Sequence, residues 1–197
     1  MRAWKDRIAA LAKAEPGFAN FLDRAIRSAD EQDLLLYAPQ TIETLLRETF
    51  SHIGERTPGK PDIRLWASTE PGLDGLTIID IYSADTPFIV DSALAAIRAA
   101  GGAIRFMAHP VAPVDTVTTP WTVLDRPNPD TRNESVLQVH IETPADPAIR
   151  DLITHELEGT MIAVRQAVLD WRDMLERLRM VVVSYRDNPP SLREPDL

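Results

Sequence analysis

The 197-residue sequence contains no cysteine. Disulfide bridges, thiolate metal ligands and cysteine nucleophiles are therefore excluded, and the absence is typical of a reducing compartment. The sequence also lacks an uninterrupted apolar run of the ~18 residues that a membrane-spanning helix needs. Residues 1–16 alternate charged and apolar side chains, so they do not form the apolar stretch of a signal peptide. We expect a cytoplasmic location.

Glycine is scarce as well. Of the eight glycines, the one adjacent pair, Gly101 and Gly102, follows a predicted helix and does not open one. A dinucleotide site needs glycines in the turn that opens a helix, because the backbone must approach the pyrophosphate there. No P-loop is present either. We therefore expect this chain to bind no nucleotide cofactor.

Positive charge is in the minority, with a net charge of −9 and a pI near 4.9. An acidic surface repels nucleic-acid phosphates and anionic lipid headgroups, so we expect neither nucleic acid nor membrane as a partner. Hydrophobic residues make up 44% and charged residues 26% of the chain, which is typical of a globular domain.

The hydrophobic periodicity changes near residue 57. Residues 1–57 predict an N-terminal helical segment, and the turn-rich stretch 57–61 ends it. Strands are predicted at 63–66, 76–82, 104–111 and 136–141, with one helix after Pro87 and a second from Pro147. Residues 113–132 hold four prolines and predict an irregular excursion with an edge segment at 117–123. The prediction is an α+β domain over 58–187 and a linker or tail over 188–197.

The order ββαββα is a circular permutation of the ferredoxin-like plan that ACT domains share. It predicts a four-stranded antiparallel sheet with helices on one face.

The last helix is predicted to run from Pro147 to about Val182, a length of roughly 50 Å. Its apolar residues step by three and four positions, at Met161, Val164, Val168, Trp171, Leu175 and Leu178. Strands of average length cover only about 20 Å of such a helix. The distal half must therefore bury its apolar stripe against the N-terminal helices or against another chain, and the six residues form a candidate interface.

No complete catalytic or metal site is apparent. His140 and Glu142 share a strand face, but they supply only two of the three or four ligands that zinc requires. A hydrogen-bonded, partly buried histidine is the simpler interpretation. His109, at the end of a predicted strand, is a third residue that a small enzyme in a ferredoxin-like cleft could use.

The turn at residues 84–89 joins a predicted strand to a helix. Unpaired N–H groups at the helix N-terminus suit a carboxylate ligand. Pro87 fits the first helical turn, and Asp85 is placed to cap it. Capping explains Asp85 without a ligand, so a structural cap and an effector site both stay open.

Several motifs run in one register over most of residues 30–178. They are D-T-P-F-I-V-D-S at 85–92, H-P-V at 109–111, E-S at 134–135, H-I-E at 140–142 and D-W-R with Met174 at 170–174, after Q-D-L at 32–34 and Y-A-P at 37–39. Together they resemble the N-terminal ACT-like region of the large bacterial NAD-specific glutamate dehydrogenases.

The resemblance implies a non-catalytic regulatory or assembly domain. The parent enzymes convert glutamate and NAD to 2-oxoglutarate, ammonia and NADH. The resemblance implies that the catalytic part and its NAD site lie elsewhere in a longer chain. ACT domains often bind amino acids, which extends the candidate ligand site to Asp85, Thr86, Pro87, Phe88, Asp91 and Ser92. The partners implied are an amino-acid effector and either the remainder of the parent chain or further copies.

The sequence departs from the usual ACT pattern at one position that bears on effector binding. ACT domains usually carry glycine after the proline of this turn, and here Phe88 occupies that place. We expect its ring to fill the space of an amino-acid ligand, which favours assembly. A stand-alone amino-acid-binding module and a small ferredoxin-like enzyme remain the alternatives.

Overall fold

A computed structural model describes residues 2–56, 60–117 and 121–187. Within these ranges the chain forms six helices and six strands. In chain order they are α1 (Arg2–Leu11), α2 (Pro16–Ser28), α3 (Glu31–Leu34), α4 (Pro39–Ile53), β1 (Asp62–Trp66), β2 (Leu76–Ala84), α5 (Ile89–Ala99), β3 (Ile104–Ala108), β4 (Val111–Asp115), β5 (Thr122–Val123), β6 (Thr131–Glu142) and α6 (Pro147–Asp187).

The sheet is antiparallel throughout and is built around β6. Its strand order is β1-β2-β6-β4-β5, and β3 also pairs with β6. Along one edge β6 pairs with all of β2, from Leu76 opposite Glu142 to Ala84 opposite Glu134. Along its other edge β6 pairs first with β4 and then with β3. The 12-residue β6 therefore fixes the register of three neighbours.

The predicted α+β class, antiparallel sheet and long C-terminal helix are confirmed, whereas the number of strands differs. The sheet has six strands instead of four. The predicted strand 104–111 is interrupted at His109 and Pro110, and β4 then continues into the proline-rich excursion. β5 pairs with the end of β4. Residues 118–120 of the predicted edge segment lie outside the described residues.

Helices cover both faces of the sheet. On the first face, Ile79, Leu137 and Val139 pack with Ile97 of α5 and with Leu157 of α6. This agrees with the prediction that the two helices of the ββαββα unit share a face. On the second face, side chains of α2 and α4 pack with residues of β2, β3, β4 and β6. The N-terminal helices thus form a third layer.

The N-terminal helices follow from local sequence signals. Pro16 and Pro39 occupy the first turns of α2 and α4, where a missing N–H costs nothing. The side chain of Asp30 caps α3 by accepting a 2.7 Å bond from the N–H of Gln32. Each longer helix presents one apolar face, and the sheet buries it.

Helix α6 is 41 residues long, which corresponds to about 60 Å. Its proximal half is buried on the first face of the sheet through Ile153, Leu157, Met161 and Val164. Farther along, large apolar side chains are 49–61% exposed, and they include Leu169, Trp171, Met174, Leu178, Met180, Val181, Val182, Val183 and Tyr185. The N-terminal helices lie on the opposite face, so they leave this half uncovered.

No helix within the described ranges combines the length and the apolarity that crossing a membrane requires.

Candidate functional site

The turn between β2 and α5 differs from its predicted geometry. α5 begins at Ile89, two residues after Pro87, and the N-cap position is Phe88. Asp85 therefore lies three residues before the N-cap, and the cap position carries no side-chain hydrogen bond. The interpretation of Asp85 as the helix cap is wrong. Instead the N–H of Asp85 donates to the carbonyl of Asn133 at 3.1 Å, and the Thr86 hydroxyl donates to the carbonyl of Ala84 at 2.9 Å.

Phe88 is the residue that reverses the chain here. Its φ of 70° lies in the left-handed region, and among the described residues it is the one non-glycine with positive φ. For a residue with a Cβ this conformation costs roughly 1–2 kcal/mol. The carbonyl of Phe88 accepts the first helical bond, from the N–H of Ser92 at 3.0 Å. The strain is retained at the position where ACT domains usually have glycine.

A cavity of about 160 Å³ lies beside this turn. Ile89, Met161 and Val164 give it an apolar lining, and the polar side chains of Ser83 and Thr86 also line it. The remaining lining residues are Pro61, Ala84 and two basic residues, Lys60 and Arg165. The cavity therefore combines an apolar lining with positive charge near the N-terminus of α5, which suits an anionic ligand.

The ring of Phe88 does not line the cavity. It is 62% exposed, so the expectation that it fills the ligand's space is wrong. The left-handed backbone turns the side chain outward and leaves the space beside Thr86 open. Asp85, Pro87 and Asp91 are exposed outside the cavity, and Ser92 is half-buried.

The residues predicted for an interface separate into two groups. Met161 and Val164 are buried between α6 and the sheet, where they also line the cavity. Trp171 and Leu178 are 49% and 60% exposed, while Val168 and Leu175 are half-buried. The six residues therefore form one continuous stripe that begins in the core and continues into solvent.

A buried ion pair holds the backbone at one edge of the cavity. Arg56 donates to the carboxylate of Glu134, and their side chains are only 2% and 6% exposed. A second guanidinium nitrogen, Nη2, donates to the carbonyl of Lys60 at 2.6 Å. The rings of Tyr82 and Trp121 lie 5.8 Å from the same guanidinium carbon. These contacts fix the point where the chain reaches β1.

The second face of the sheet contains a buried polar network that the sequence analysis did not identify. Tyr37 donates to Nδ1 of His140 at 2.9 Å, and Nε2 of His140 donates to Oε1 of Gln138 at 3.1 Å. This tautomer is assigned from the pattern of partners. Gln138 donates to the hydroxyl of Thr49 at 2.6 Å, and Thr49 donates to Asp80 at 3.0 Å. The chain of bonds joins α4 and the α3–α4 connection to β2 and β6.

Asp80 is the acceptor at the end of this network. Its other carboxylate oxygen accepts from the indole N–H of Trp66 at 2.7 Å and from the hydroxyl of Tyr82 at 3.3 Å. Burial raises the pKa of Asp80 to about 6, because loss of solvation outweighs these bonds and the nearby Arg64. Burial lowers the pKa of His140 to about 3, so the imidazole is neutral.

The three residues considered for a small enzyme do not converge. His140 is fully buried inside the network. The exposed Glu142 pairs with Arg105, and His109 exchanges a 2.7 Å hydrogen bond with Ser135. Within the described ranges no three histidine or acidic side chains cluster in a way that could hold a metal ion.

The sequence matches the family described as glutamate dehydrogenase, ACT1 domain, over residues 21–157. This span is more than half of the chain and contains the cavity-bearing turn and the whole sheet. The chain belongs to this family. The predicted resemblance to the ACT-like region of a glutamate dehydrogenase is thereby confirmed. A comparison with curated proteins finds no match.

The family match ends within α6. The matched span ends at Leu157, whose side chain is buried against the sheet. The exposed half of α6 lies beyond it. The turn thus lies inside the shared family region, whereas the part of the cavity lining that α6 supplies and the whole apolar stripe lie beyond it.

The strain at Phe88 can be tested with two substitutions. Phe88→Gly should leave the ACT1 domain as stable or more stable by up to about 1 kcal/mol, because glycine adopts positive φ without steric cost. Phe88→Ala is the matched control, since it removes the same exposed ring but keeps a Cβ. Urea unfolding measures both. Equal stabilities of the two variants would show that the turn carries no strain.

The pKa of Asp80 predicts a pH dependence of stability. Because the folded-state pKa, about 6, lies above the ordinary value of 3.8, the folded protein binds this proton more tightly than the unfolded chain. The associated stability is fully present below pH 3.8 and is lost as the pH rises through 6, by on the order of 3 kcal/mol. The difference in urea unfolding between the native protein and Asp80→Asn from pH 4 to 7 isolates this loss, because the lowered pKa of His140 makes both proteins more stable as the pH rises over the same range. The Asp80→Asn variant should lack it, and parallel pH profiles would contradict the assignment.

Proposed function

We propose that this ACT1 domain is a non-catalytic regulatory and assembly domain of a large NAD-specific glutamate dehydrogenase. In this proposal NAD binding and the oxidation of glutamate to 2-oxoglutarate, ammonia and NADH belong to other parts of the enzyme, in the cytoplasm. The family match supports the connection to glutamate dehydrogenase. The separate positions of His109, His140 and Glu142 support a role without chemistry.

The observation that carries the assembly role is the exposed half of α6. A helix that packs only on its own domain normally exposes polar side chains there. Here Trp171, Leu178 and Tyr185 are about half or more exposed along the continuation of a buried stripe. Contiguous apolar surface of this kind marks an interaction site. The stripe therefore favours docking onto another protein surface, which is the expected property of an assembly domain.

Two substitutions on α6 test the assembly role. Leu178 and Met180 are 60% and 61% exposed, but only Leu178 lies on the stripe. Leu178→Asp should abolish association with the catalytic region of the enzyme or with further copies, because it places a charge in the contact. Met180→Asp should preserve association. Light scattering after size-exclusion chromatography measures both, and circular dichroism should show equal helix content. Equal behaviour of the two variants would contradict docking through the stripe.

A second candidate function is binding of an amino-acid effector in the cavity beside Thr86. The open cavity, the basic Lys60 and Arg165, and the N-terminus of α5 favour it. The apolar lining from Ile89, Met161 and Val164 would contact the side chain of an amino acid, and the basic groups its carboxylate.

Thermal unfolding tests the effector. A ligand at a hundred times its dissociation constant stabilises the folded state by about 2.7 kcal/mol. For a domain of this size the midpoint should rise by roughly 5–10 °C. We expect such a shift with one of glutamate, aspartate or the other amino acids, no shift with NAD, and loss of the shift in Lys60→Glu. The absence of any shift at millimolar concentrations would exclude the effector role and leave assembly.

A further inference from the structure

The distal stripe of α6 consists of six residues at heptad spacing. They are Val168, Trp171, Leu175, Leu178, Val182 and Tyr185. The two preceding members of the same repeat, Met161 and Val164, face the protein's own sheet and are 3% and 8% exposed. The sheet therefore occupies the stripe side of the proximal half of α6. Any partner on that side is confined to the distal half, a length of about 27 Å.

This confinement disfavours a parallel pair of identical helices. In a parallel, in-register coiled coil the two helices lie alongside each other over their whole length. The proximal half of the second helix would then lie where the sheet packs on Ile153, Leu157 and Met161. A copy could pair only in the antiparallel direction, with overlap restricted to the distal halves.

The charges flanking the stripe disfavour the antiparallel pair. Arginine recurs at seven-residue intervals, at positions 165, 172, 179 and 186, always one place after a stripe residue. On the other flank the positions before the stripe residues hold Ala167, Met174 and Val181. In an antiparallel pair like flanks face each other, so the arginine row would face its own copy. Flanking charges set the partner and the orientation of paired helices, and like charges reject the wrong pair.

We propose that the distal stripe of α6 docks an amphipathic helix of different sequence, with acidic residues along one flank and apolar residues along the other. The acidic flank faces the arginine row, and the apolar flank covers Met174 and Val181. The arginine row is a basic edge on a protein whose net charge is −9. A basic edge attracts an acidic partner, because complementary charges favour the matching surface. This inference rests on the proposed assembly function and specifies its partner.

Binding of two synthetic three-heptad helices to the 197-residue protein tests the inference. The peptides share leucine core positions and differ only in one flank, which holds glutamate in the first and lysine in the second. The emission of Trp171, on the stripe, reports binding in titrations against a Trp171→Phe reference. We expect the glutamate peptide to bind about tenfold or more tightly than the lysine peptide, and the ratio to fall at high salt.

Charge reversal identifies the surface that selects the peptide. The double variant Arg179→Glu, Arg186→Glu should invert the preference toward the lysine peptide. Arg177→Glu is the matched control, because Arg177 is an exposed arginine on a different side of α6 and should leave the preference unchanged. Equal affinities for the two peptides, or inversion by the control variant, would overturn the charge-based inference.

Self-association is measured on the same protein. Sedimentation velocity of the native protein should show a monomer. A dimer that Leu178→Asp dissociates would overturn this inference while leaving the assembly function intact. A monomer that binds neither peptide would overturn this inference, and a native protein that also fails to associate with the catalytic region would overturn the assembly function.

Discussion

Strand β6 is buried on both faces, and this burial dictates how the helices are arranged around the sheet. Residues 134–141 of this strand are all buried, so alternate side chains need partners on opposite sides of the sheet. Leu137, Val139 and Ile141 face α5 and α6, while Val136 and the polar Gln138 and His140 face the N-terminal helices. A sheet with one face in water would expose these residues. The third helical layer is therefore required by β6.

The two faces of the sheet are covered through different kinds of contact. The first face is an aliphatic contact, and it extends only as far as the strands do, which leaves the distal half of α6 outside. The second face contains Asp80, whose ionised form is disfavoured by burial and supported by donors from Thr49, Trp66 and Tyr82. Buried polar groups need partners in fixed positions, so this face sets the placement of α4 more specifically than apolar contact would. The candidate cavity lies on the aliphatic side, where a basic edge meets an apolar lining.

Local sequence patterns predicted the elements better than their boundaries and contacts. The heptad spacing in α6 and the strand patterns of β1, β2 and β6 are short-range signals, and the structure has those elements. The start of α5 was misplaced because Pro87 favours a first helical turn, whereas the left-handed Phe88 delays the helix by two residues. His140 was expected to be a hydrogen-bonded, partly buried histidine, and it is fully buried and bonded. Its partners Tyr37 and Gln138 could not be predicted, since Tyr37 is 103 residues away in sequence.

The absence of thiol chemistry, the α+β class, the amphipathic stripe of α6 and the family resemblance can all be read from the amino-acid sequence. Each of these follows from residue identity or from spacing within one element. The folded arrangement is needed to know which parts of the stripe are covered, that the N-terminal helices lie on the opposite face, and that the ring of Phe88 leaves the cavity open. Those outcomes depend on how elements distant in the chain share the two faces of one sheet. That division is set by the summed packing of all the layers, and no local pattern encodes it.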